Sequence, residues 1–166
     1  RDSQIYGLAA LHAVIVIREW DFEENGLLPL RGECVFLHSV LISPNEYFRY
    51  SDILKANQEY IMIPGFWSRQ NPSLPAESYG TFVLKVLLPP DMRHYGLYVE
   101  EVSSSYTLYI DGEHILGNGI VGTSRQTSRA ELMPRIWIAE AEGSELTLLM
   151  HVSNYQVPRG GMWLAP

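Results

Sequence analysis

The sequence is poor in cysteine and in charge, and both shortages exclude classes of protein. Cys34 is the only cysteine among 166 residues, so the chain has no internal disulfide and no cysteine-rich zinc site. Charged residues make up 19% of the chain, the net charge is -7, and no basic cluster is present. Because a nucleic-acid footprint needs clustered lysine and arginine, and an anionic membrane surface would repel this chain, we expect neither as a partner.

The sequence also lacks a membrane-spanning run and the common catalytic signatures. The apolar stretch at residues 7–17 is too short to cross a bilayer, and it lacks the basic segment and cleavage site of a signal peptide. No G-x-S-x-G, H-E-x-x-H or S-x-x-K pattern occurs, and the five histidines are scattered without the spacing of metal ligands. We therefore expect a protein that is not an enzyme and that has no cofactor and no metal-binding residues among its candidates; no acidic loop cluster demands a structural calcium, which the sequence leaves open.

What the sequence does contain is a series of short segments with alternating apolar residues, separated by glycine, proline, serine and asparagine. Strands recurring about every ten residues indicate an all-β fold, an antiparallel β-sandwich or jelly roll. Two inward faces are predicted from the alternation: Phe82, Leu84, Val86, Leu88 and Leu146, Leu148, Met150, Val152. One short helix is predicted over residues 44–56, with Ser43 as its cap, and a weaker helical pattern covers the opening segment.

Residues 106–116 are the clearest local signal, since they predict a β-hairpin. Asp111 and Gly112 form the pair that a type I′ turn requires, because both turn residues need a positive φ. The glycines that follow match G-x-G-x-x-G, but no helix pattern begins after them and no acidic residue stands at the expected distance, so a dinucleotide site is rejected. Gly117, Gly119 and Gly122 are instead predicted to let the chain turn sharply.

Five segments carry further motifs, and they occur in the order WDFEENGLLPLRGECVF, YIMIPGFW, GTFVLKVLLP, SSSYTLYIDGEHILGNGIVGTS and LLMHVSNYQVPRGGMW. Together they resemble the extracytoplasmic sensor domain of bacterial receptors that have seven transmembrane helices and diverse intracellular signalling modules. The resemblance covers residues 20–163. Three positions depart from the family pattern, because Cys34 replaces a tryptophan, Phe82 a tyrosine and Tyr155 a phenylalanine.

The resemblance implies one sensor domain over residues 1–166, with a galactose-binding-like jelly-roll core at about 20–163. It further implies a position on the periplasmic or extracellular face of the membrane, excised from a longer chain with a seven-transmembrane segment, and a small-molecule ligand that is often supposed to be carbohydrate. A shift in how two copies pack, as a homodimer, is the expected signalling mechanism. The alternatives are a carbohydrate-binding accessory module of a glycoside hydrolase and an interaction domain with an apolar surface patch.

Six residues are candidates for the ligand site, because sugar faces stack on aromatic rings and sugar hydroxyls bond to polar side chains. Trp67 has a plug of the sandwich end as its structural alternative, and Trp137 is expected on the exposed side of its sheet, opposite to Ile136 and Ile138. Glu101 is expected to point inward, because it shares a face with Leu97 and Val99, and a salt bridge to an arginine is the alternative. Tyr109 is expected to line a concave surface, with a cross-strand pair as the alternative, and Arg125 has a solvated loop position as its alternative. Trp20 and Trp163 are predicted to serve packing or a domain interface, and Asn154 to bond the loop backbone. The candidates are Trp67, Arg69, Glu101, Tyr109, Arg125 and Trp137.

Overall fold

The computed structural model describes residues 8–162 and consists mainly of short β-strands. Twelve strands and four short helices follow one another along these residues. In chain order they are β1 Val14–Val16, α1 Phe22–Asn25, β2 Gly32–His38, α2 Pro44–Arg49, α3 Ser51–Asn57, β3 Glu59–Ile63, β4 Gly65–Phe66, α4 Trp67–Gln70, β5 Ser78–Leu87, β6 His94–Val99, β7 Val102–Ser103, β8 Ser105–Ile110, β9 Glu113–Asn118, β10 Arg135–Glu140, β11 Glu145–Asn154 and β12 Gly161–Met162.

The strands form one large sheet and two small ones. The large sheet has the order β3-β2-β5-β11-β8-β9, with β1 pairing in parallel to β5. Its other pairs are antiparallel. The small sheets are β10-β6 and β4-β12-β7. Side chains of the large sheet and of both small sheets share the main hydrophobic core, so the predicted all-β sandwich is confirmed.

The large sheet is buried on both faces, which the alternation did not predict. Phe82, Leu84 and Val86 on β5 belong to the main core, as expected. Val83, between them, belongs to a second cluster with Leu149 of β11. This second cluster also includes side chains from the segment before β1 and from the region of α2 and α3, namely Ala13, Ile42, Tyr47 and Leu54. The outer faces of β5 and β11 therefore meet a second, smaller core at Val83 and Leu149, while Lys85 and Glu145, farther along the same faces, form a salt bridge at the surface.

The helix prediction is correct in place and in its cap. Ser43 accepts a hydrogen bond from the backbone N–H of Glu46, while the Glu46 carboxylate accepts one from the backbone N–H of Ser43, which completes a capping box. The helical stretch is divided at Tyr50 into α2 and α3. The weaker helical pattern near the start is wrong where the structure describes it, because Val14–Val16 is a strand; residues 1–7 lie outside the described part.

The hairpin has the predicted turn. Asp111 and Gly112 both have positive φ, 49° and 88°, and strands β8 and β9 pair on either side of them. The Asp111 carboxylate accepts a hydrogen bond of 2.8 Å from the backbone N–H of Thr147 on β11. The turn residue therefore also fastens the hairpin to its neighbouring strand.

Cys34 lies deep in the main core, where burial raises the pKa of its thiol to about 12. Its Sγ is 3.1 Å from the carbonyl oxygen of Val83. A cavity of about 30 Å³ with an apolar lining borders this side chain. A cavity without polar partners does not suit a bound water, and a neutral buried thiol is a poor nucleophile. Cys34 is therefore a packing residue.

Candidate functional site

An open cleft of about 280 Å³ is lined by Phe66, Ser68, Arg69 and Arg159. Phe66 comes from β4, Ser68 and Arg69 come from α4, and Arg159 comes from the loop before β12. The two segments meet because β12 pairs with β4, with Gly161 opposite Phe66. A backbone hydrogen bond of 3.2 Å from the N–H of Trp67 to the carbonyl of Gly160 joins them beside the cleft.

Trp67 is buried next to this cleft and does not line it. Its side chain is 0% exposed, and its ring stacks on Phe36 with 5.6 Å between centroids and 10° between planes. Its indole N–H donates a 2.8 Å hydrogen bond to the carbonyl of Pro75. The prediction of Trp67 as a stacking platform for a ligand is therefore wrong, since no face of the ring reaches solvent. The alternative, a tryptophan that plugs the sandwich, describes its position.

The short helix α4 is held rigidly on the side of β3. Gln70 accepts a 2.6 Å hydrogen bond from the backbone N–H of Met62 and donates a 2.8 Å bond to the carbonyl of the same residue. Arg69, which is exposed, extends from a helix that is thereby tied to the sheet. Of the six predicted ligand-binding residues, Arg69 lines the cleft.

Arg125 and Tyr109 lie elsewhere and have structural partners. Arg125 forms a salt bridge with Glu77 at the surface. Tyr109 packs against the second core. Its ring makes edge-on contacts with the rings of His114, at a centroid distance of 5.7 Å, and His151, at 5.3 Å. Burial lowers the pKa of His151, whose Nε2 lies 2.7 Å from the carbonyl of Ile42. Tyr109 does not line the cleft, and the cross-strand pairing with His114, its structural alternative, is observed; its role in ligand binding stays a prediction.

Trp137 faces the core, the reverse of its predicted orientation. It is half-buried against the main cluster, whereas Ile136 and Ile138 are 68% and 74% exposed. On the adjacent strand β6, Tyr98 lies opposite Ile136, and Gly96 lies opposite Ile138. These side chains give the β10-β6 sheet an exposed apolar face, which we define by Tyr98, Ile136 and Ile138. The wide indole takes the inward position where it can pack on the large sheet.

Glu101 lies beyond the strand that was expected to direct it inward. Strand β6 ends at Val99, so the alternation of Leu97 and Val99 does not continue to position 101. Within residues 8–162 Glu101 is half-buried and forms neither a hydrogen bond nor a salt bridge, so the predicted ion pair with an arginine is not observed there. Nor does it line the cleft.

The glycine-rich segment is a tightly packed loop, and no helix occurs between β9 and β10. Ile120 and Arg129 exchange two backbone hydrogen bonds of 2.9 Å. The backbone N–H of Gly122 donates to the Ser153 hydroxyl at 3.2 Å. Asn154 is fully buried and donates to the carbonyls of Ala76 and Val157, which confirms its predicted structural role. The rejection of a dinucleotide site agrees with this geometry.

Tyr106, the tyrosine of the same motif, has a buried hydroxyl without a hydrogen-bond partner among the described residues. Burial raises the pKa of Tyr106 to about 12. We expect Tyr106→Phe to leave the free energy of unfolding unchanged or to raise it by about 1 kcal/mol, because a desolvated, unpaired hydroxyl is lost with little change of shape. Chemical denaturation of both proteins measures the difference.

Tyr155→Phe is the matched control for this substitution. The Tyr155 hydroxyl donates a 2.8 Å hydrogen bond to the carbonyl of Thr123, so its removal is expected to cost about 1 kcal/mol. A loss for Tyr106→Phe as large as that of the control would show that the buried hydroxyl has a partner, and would contradict the assignment.

No group of three or more histidine, cysteine, aspartate or glutamate side chains in residues 8–162 could hold a metal ion. Over the same range, none of the helices combines the length and the apolar character needed to traverse a bilayer.

No family model and no curated protein matches the chain. Solved structures with a similar fold include a beta-glucuronidase of Faecalibacterium prausnitzii, with a TM-score of 0.52 and 15% identity over 76% of this chain and 20% of that one. A beta-glucuronidase of an uncultured Clostridium sp. gives 0.53 and 14% over 81% and 27%. A GH2 beta-galacturonidase of Eisenbergiella tayi, bound to galacturonate, gives 0.51 and 11% over 80% and 23%.

The chain thus spans only about a fifth to a quarter of these three proteins. At such low identity the likeness shows a shared fold alone, that of a β-sandwich domain which forms one part of each larger chain. It agrees with the jelly-roll fold expected from the sequence.

Proposed function

We propose that the chain is a non-catalytic, extracytoplasmic sensor domain of a bacterial membrane receptor and that it binds a carbohydrate or a similar small molecule. The observation that carries this proposal is the coincidence of five ordered sequence motifs with a β-sandwich that presents a polar cleft beside two of them. Phe66 belongs to the segment YIMIPGFW, and Arg159 belongs to the segment that ends in PRGGMW. Strands β4 and β12 bring these two motifs together at the cleft.

The side chains support binding better than catalysis. The cleft contains two guanidinium groups, a hydroxyl and an aromatic ring, and these groups bind and orient a ligand. The described lining residues include neither the pair of carboxylates by which most glycosidases act nor a nucleophile beside a general base. Bound ligand would act by favouring one arrangement of the receptor, to the extent that it binds that arrangement more tightly.

A thermal-shift screen of the chain with neutral, acidic and sulfated saccharides tests the ligand class. A ligand that binds only the folded state raises the unfolding temperature, and at a concentration 100 times its Kd it stabilises by about 2.7 kcal/mol. We expect at least one saccharide to produce a concentration-dependent rise. No response to any saccharide in the panel would overturn the carbohydrate assignment.

The exposed apolar face of the β10-β6 sheet supports the proposal that two copies of the domain pack together. Ile136 and Ile138 project from the same side of β10, and contiguous apolar side chains of this kind are typical of interaction surfaces. Gly96 opposite Ile138 leaves that isoleucine unscreened by its cross-strand neighbour. A homodimer that buries this face would explain its composition.

We expect Ile138→Lys to raise the dimer dissociation constant at least about tenfold, because burying an ammonium group in an apolar interface is costly. Sedimentation equilibrium over a range of concentrations provides the measurement. Leu27→Lys is the matched control, since Leu27 is an 82% exposed leucine outside the apolar face. A wild-type chain that stays monomeric at every concentration, or equal effects of the two substitutions, would refute the dimer.

The second candidate function is an accessory module of a glycoside hydrolase, and the fold comparisons favour it specifically. The matched structures are two beta-glucuronidases and a beta-galacturonidase, and a domain with this fold forms a small part of each. The gene sequence downstream of residue 166 separates the two candidates. The sensor predicts seven apolar spans there, whereas the accessory module predicts a catalytic domain.

A further inference from the structure

The dipeptide Asn-Gly occurs twice in the chain, at Asn25–Gly26 and at Asn118–Gly119. In this dipeptide the backbone nitrogen of the glycine is able to attack the side-chain carbonyl carbon of the asparagine, because glycine has no side chain to hinder the approach. The two copies have different surroundings in the folded chain. The structure therefore determines which of the two asparagines reacts.

Asn118 is held in a position that prevents this attack. It is only 4% exposed, its Nδ2 donates a hydrogen bond to the carbonyl of Met133, and its Oδ1 accepts one of 2.8 Å from Nε of Arg135. The backbone N–H of Gly119 donates a 2.9 Å hydrogen bond to the carboxylate of Glu131. The side chain and the attacking nitrogen are thus both engaged, and reaction has to wait until the end of β9 opens.

Asn25 lies at the surface, at the end of α1. This helix has only four residues, Phe22–Asn25, and none of them is buried. Asn25 and Gly26 are both exposed, and a Cβ added to Gly26 would meet nothing within 4 Å. Solvent base and water therefore reach the atoms that react.

Two hydrogen bonds restrain Gly26, and both lie at this exposed helix end. Its N–H donates a 3.0 Å bond to the carbonyl of Phe22, and its carbonyl accepts a 3.1 Å bond from the indole N–H of Trp20. A helix of a single turn is marginal by itself, and without buried side chains its end opens at low free-energy cost. The attacking nitrogen becomes available through an opening that leaves the sandwich intact.

We propose that Asn25 is a site of spontaneous deamidation and that Asn118 is protected from it by the fold. The Gly26 nitrogen gives its proton to solvent base and bonds to Cγ of Asn25. The bond from Cγ to Nδ2 then breaks, the leaving nitrogen takes a proton from water, and ammonia departs from a cyclic imide. Water adds to either carbonyl of the imide and opens it to an aspartyl or an isoaspartyl residue. Water is the only co-reactant.

The products are expected to loosen α1. The new carboxylate lies four residues after Asp21, the N-cap of the helix, and like charges at this spacing on a helix repel each other. In the isoaspartyl product the chain runs through the former side chain, which lengthens the backbone by one methylene and displaces Gly26. The hydrogen bonds from Gly26 to Phe22 and from Trp20 to Gly26 would then be lost.

Incubation of the intact chain in mildly alkaline buffer, followed by proteolytic digestion and mass spectrometry of the peptides, tests the proposal. We expect Asn25 to deamidate at least about tenfold faster than Asn118, a ratio that corresponds to about 1.4 kcal/mol. Both isomeric products should appear at position 25, and their formation should speed up with rising pH because the attacking nitrogen has to lose its proton. Ion exchange of the intact chain follows the same reaction through the added negative charge.

Unfolding the chain in urea provides the matched control, because it removes the surroundings of both dipeptides and leaves their chemistry unchanged. The two asparagines should then react at comparable rates. Asn25→Gln is the second control, since its longer side chain would have to close a larger ring. This variant should remain folded and should form far less of the more acidic species in native buffer.

Three results would overturn the proposal. One is deamidation of Asn118 in the folded chain as fast as that of Asn25. Another is an Asn25 that reacts in urea but not in native buffer, which would show that the hydrogen bond from Gly26 to Phe22 protects it as well. The third is a difference between the two sites that persists undiminished in urea, because the flanking sequence and not the fold would then be its cause.

Discussion

Replacing Trp67 with alanine is expected to lower the free energy of unfolding by about 3 to 5 kcal/mol, the range measured when large aromatic side chains are removed from cores. The loss has three sources in this structure. The ring is fully buried, it stacks on Phe36, and it gives the carbonyl of Pro75 its hydrogen-bond donor. Since small proteins are stable by only about 5 to 15 kcal/mol in total, the substitution removes a large part of that margin.

Thermal unfolding gives the measurement for Trp67→Ala, with an expected fall in Tm of about 6 to 20 °C for a domain of this size. Trp20→Ala is the matched control. Trp20 is only partly buried, and its indole N–H bonds to the carbonyl of Gly26 nearby in the sequence, so its loss should cost clearly less. Equal effects of the two substitutions would mean that Trp67 does not anchor the core.

Comparing Trp67→Ala with Arg69→Gln separates a residue that stabilises the cleft from one that contacts the ligand. Trp67→Ala should weaken ligand binding only through unfolding or through displacement of Gly160 and α4. Arg69→Gln should weaken it in a protein whose unfolding temperature is unchanged, because the Arg69 side chain is exposed. Trp67 and Arg69, two positions apart in the segment GFWSR, thus have different roles, since side chains two residues apart on a helical turn point in different directions.

Structure was predicted correctly from the sequence where it depends on residues close together along the chain. Alternation correctly predicted that Phe82, Leu84, Val86 and Leu88 share the core face, and a two-residue turn signal correctly predicted the hairpin at Asp111 and Gly112. The capping box at Ser43 was readable for the same reason. In each of these cases the determining interactions lie within a few residues along the chain.

Orientation was wrong where both faces of a strand carry large apolar side chains. In the segment RIWIAE, alternation separates Trp137 from its neighbouring isoleucines but does not show which set faces the core. The answer depends on the register between β10 and β6 and on the space above the large sheet. Glu101 was misplaced for a related reason, because the strand ends at Val99 and the alternation cannot be carried past its end.

The cleft itself was only partly predictable. Arg69 was selected because it is a polar residue in a loop next to a tryptophan, but Phe66 and Arg159 were not. They are distant in sequence, and their meeting depends on the pairing of two strands of two residues each. Strands this short carry no periodicity. The glycine pair before Met162 was the available signal, since Gly160 must fit against the ring of Trp67.

Replacing Gly119 with alanine is expected to cost about 3 kcal/mol or more, for two reasons that add. Gly119 has a φ of +64°, and an added Cβ would lie 2.1 Å from the carbonyl oxygen of Arg129. A positive φ costs a residue with a side chain about 1 to 2 kcal/mol, and the backbone contact can be relieved only by separating the loop from β9. That separation would break the two hydrogen bonds between Ile120 and Arg129, each worth about 1 kcal/mol.

Two other glycines divide these contributions, so the test can locate the cause. Gly112 also has a positive φ, +88°, but an added Cβ would make only ordinary contacts of 3.9 Å, so Gly112→Ala measures the backbone strain with no clash. Gly143 has neither a positive φ nor a close neighbour, and Gly143→Ala should be nearly neutral. Chemical denaturation of the three variants should rank their losses as Gly119, then Gly112, then Gly143. If Gly119→Ala cost no more than Gly112→Ala, the loop would not be packed against Arg129. If the order holds, the G-x-G-x-x-G pattern in this chain is explained by close packing of backbone on backbone, and no bound phosphate is needed to account for it.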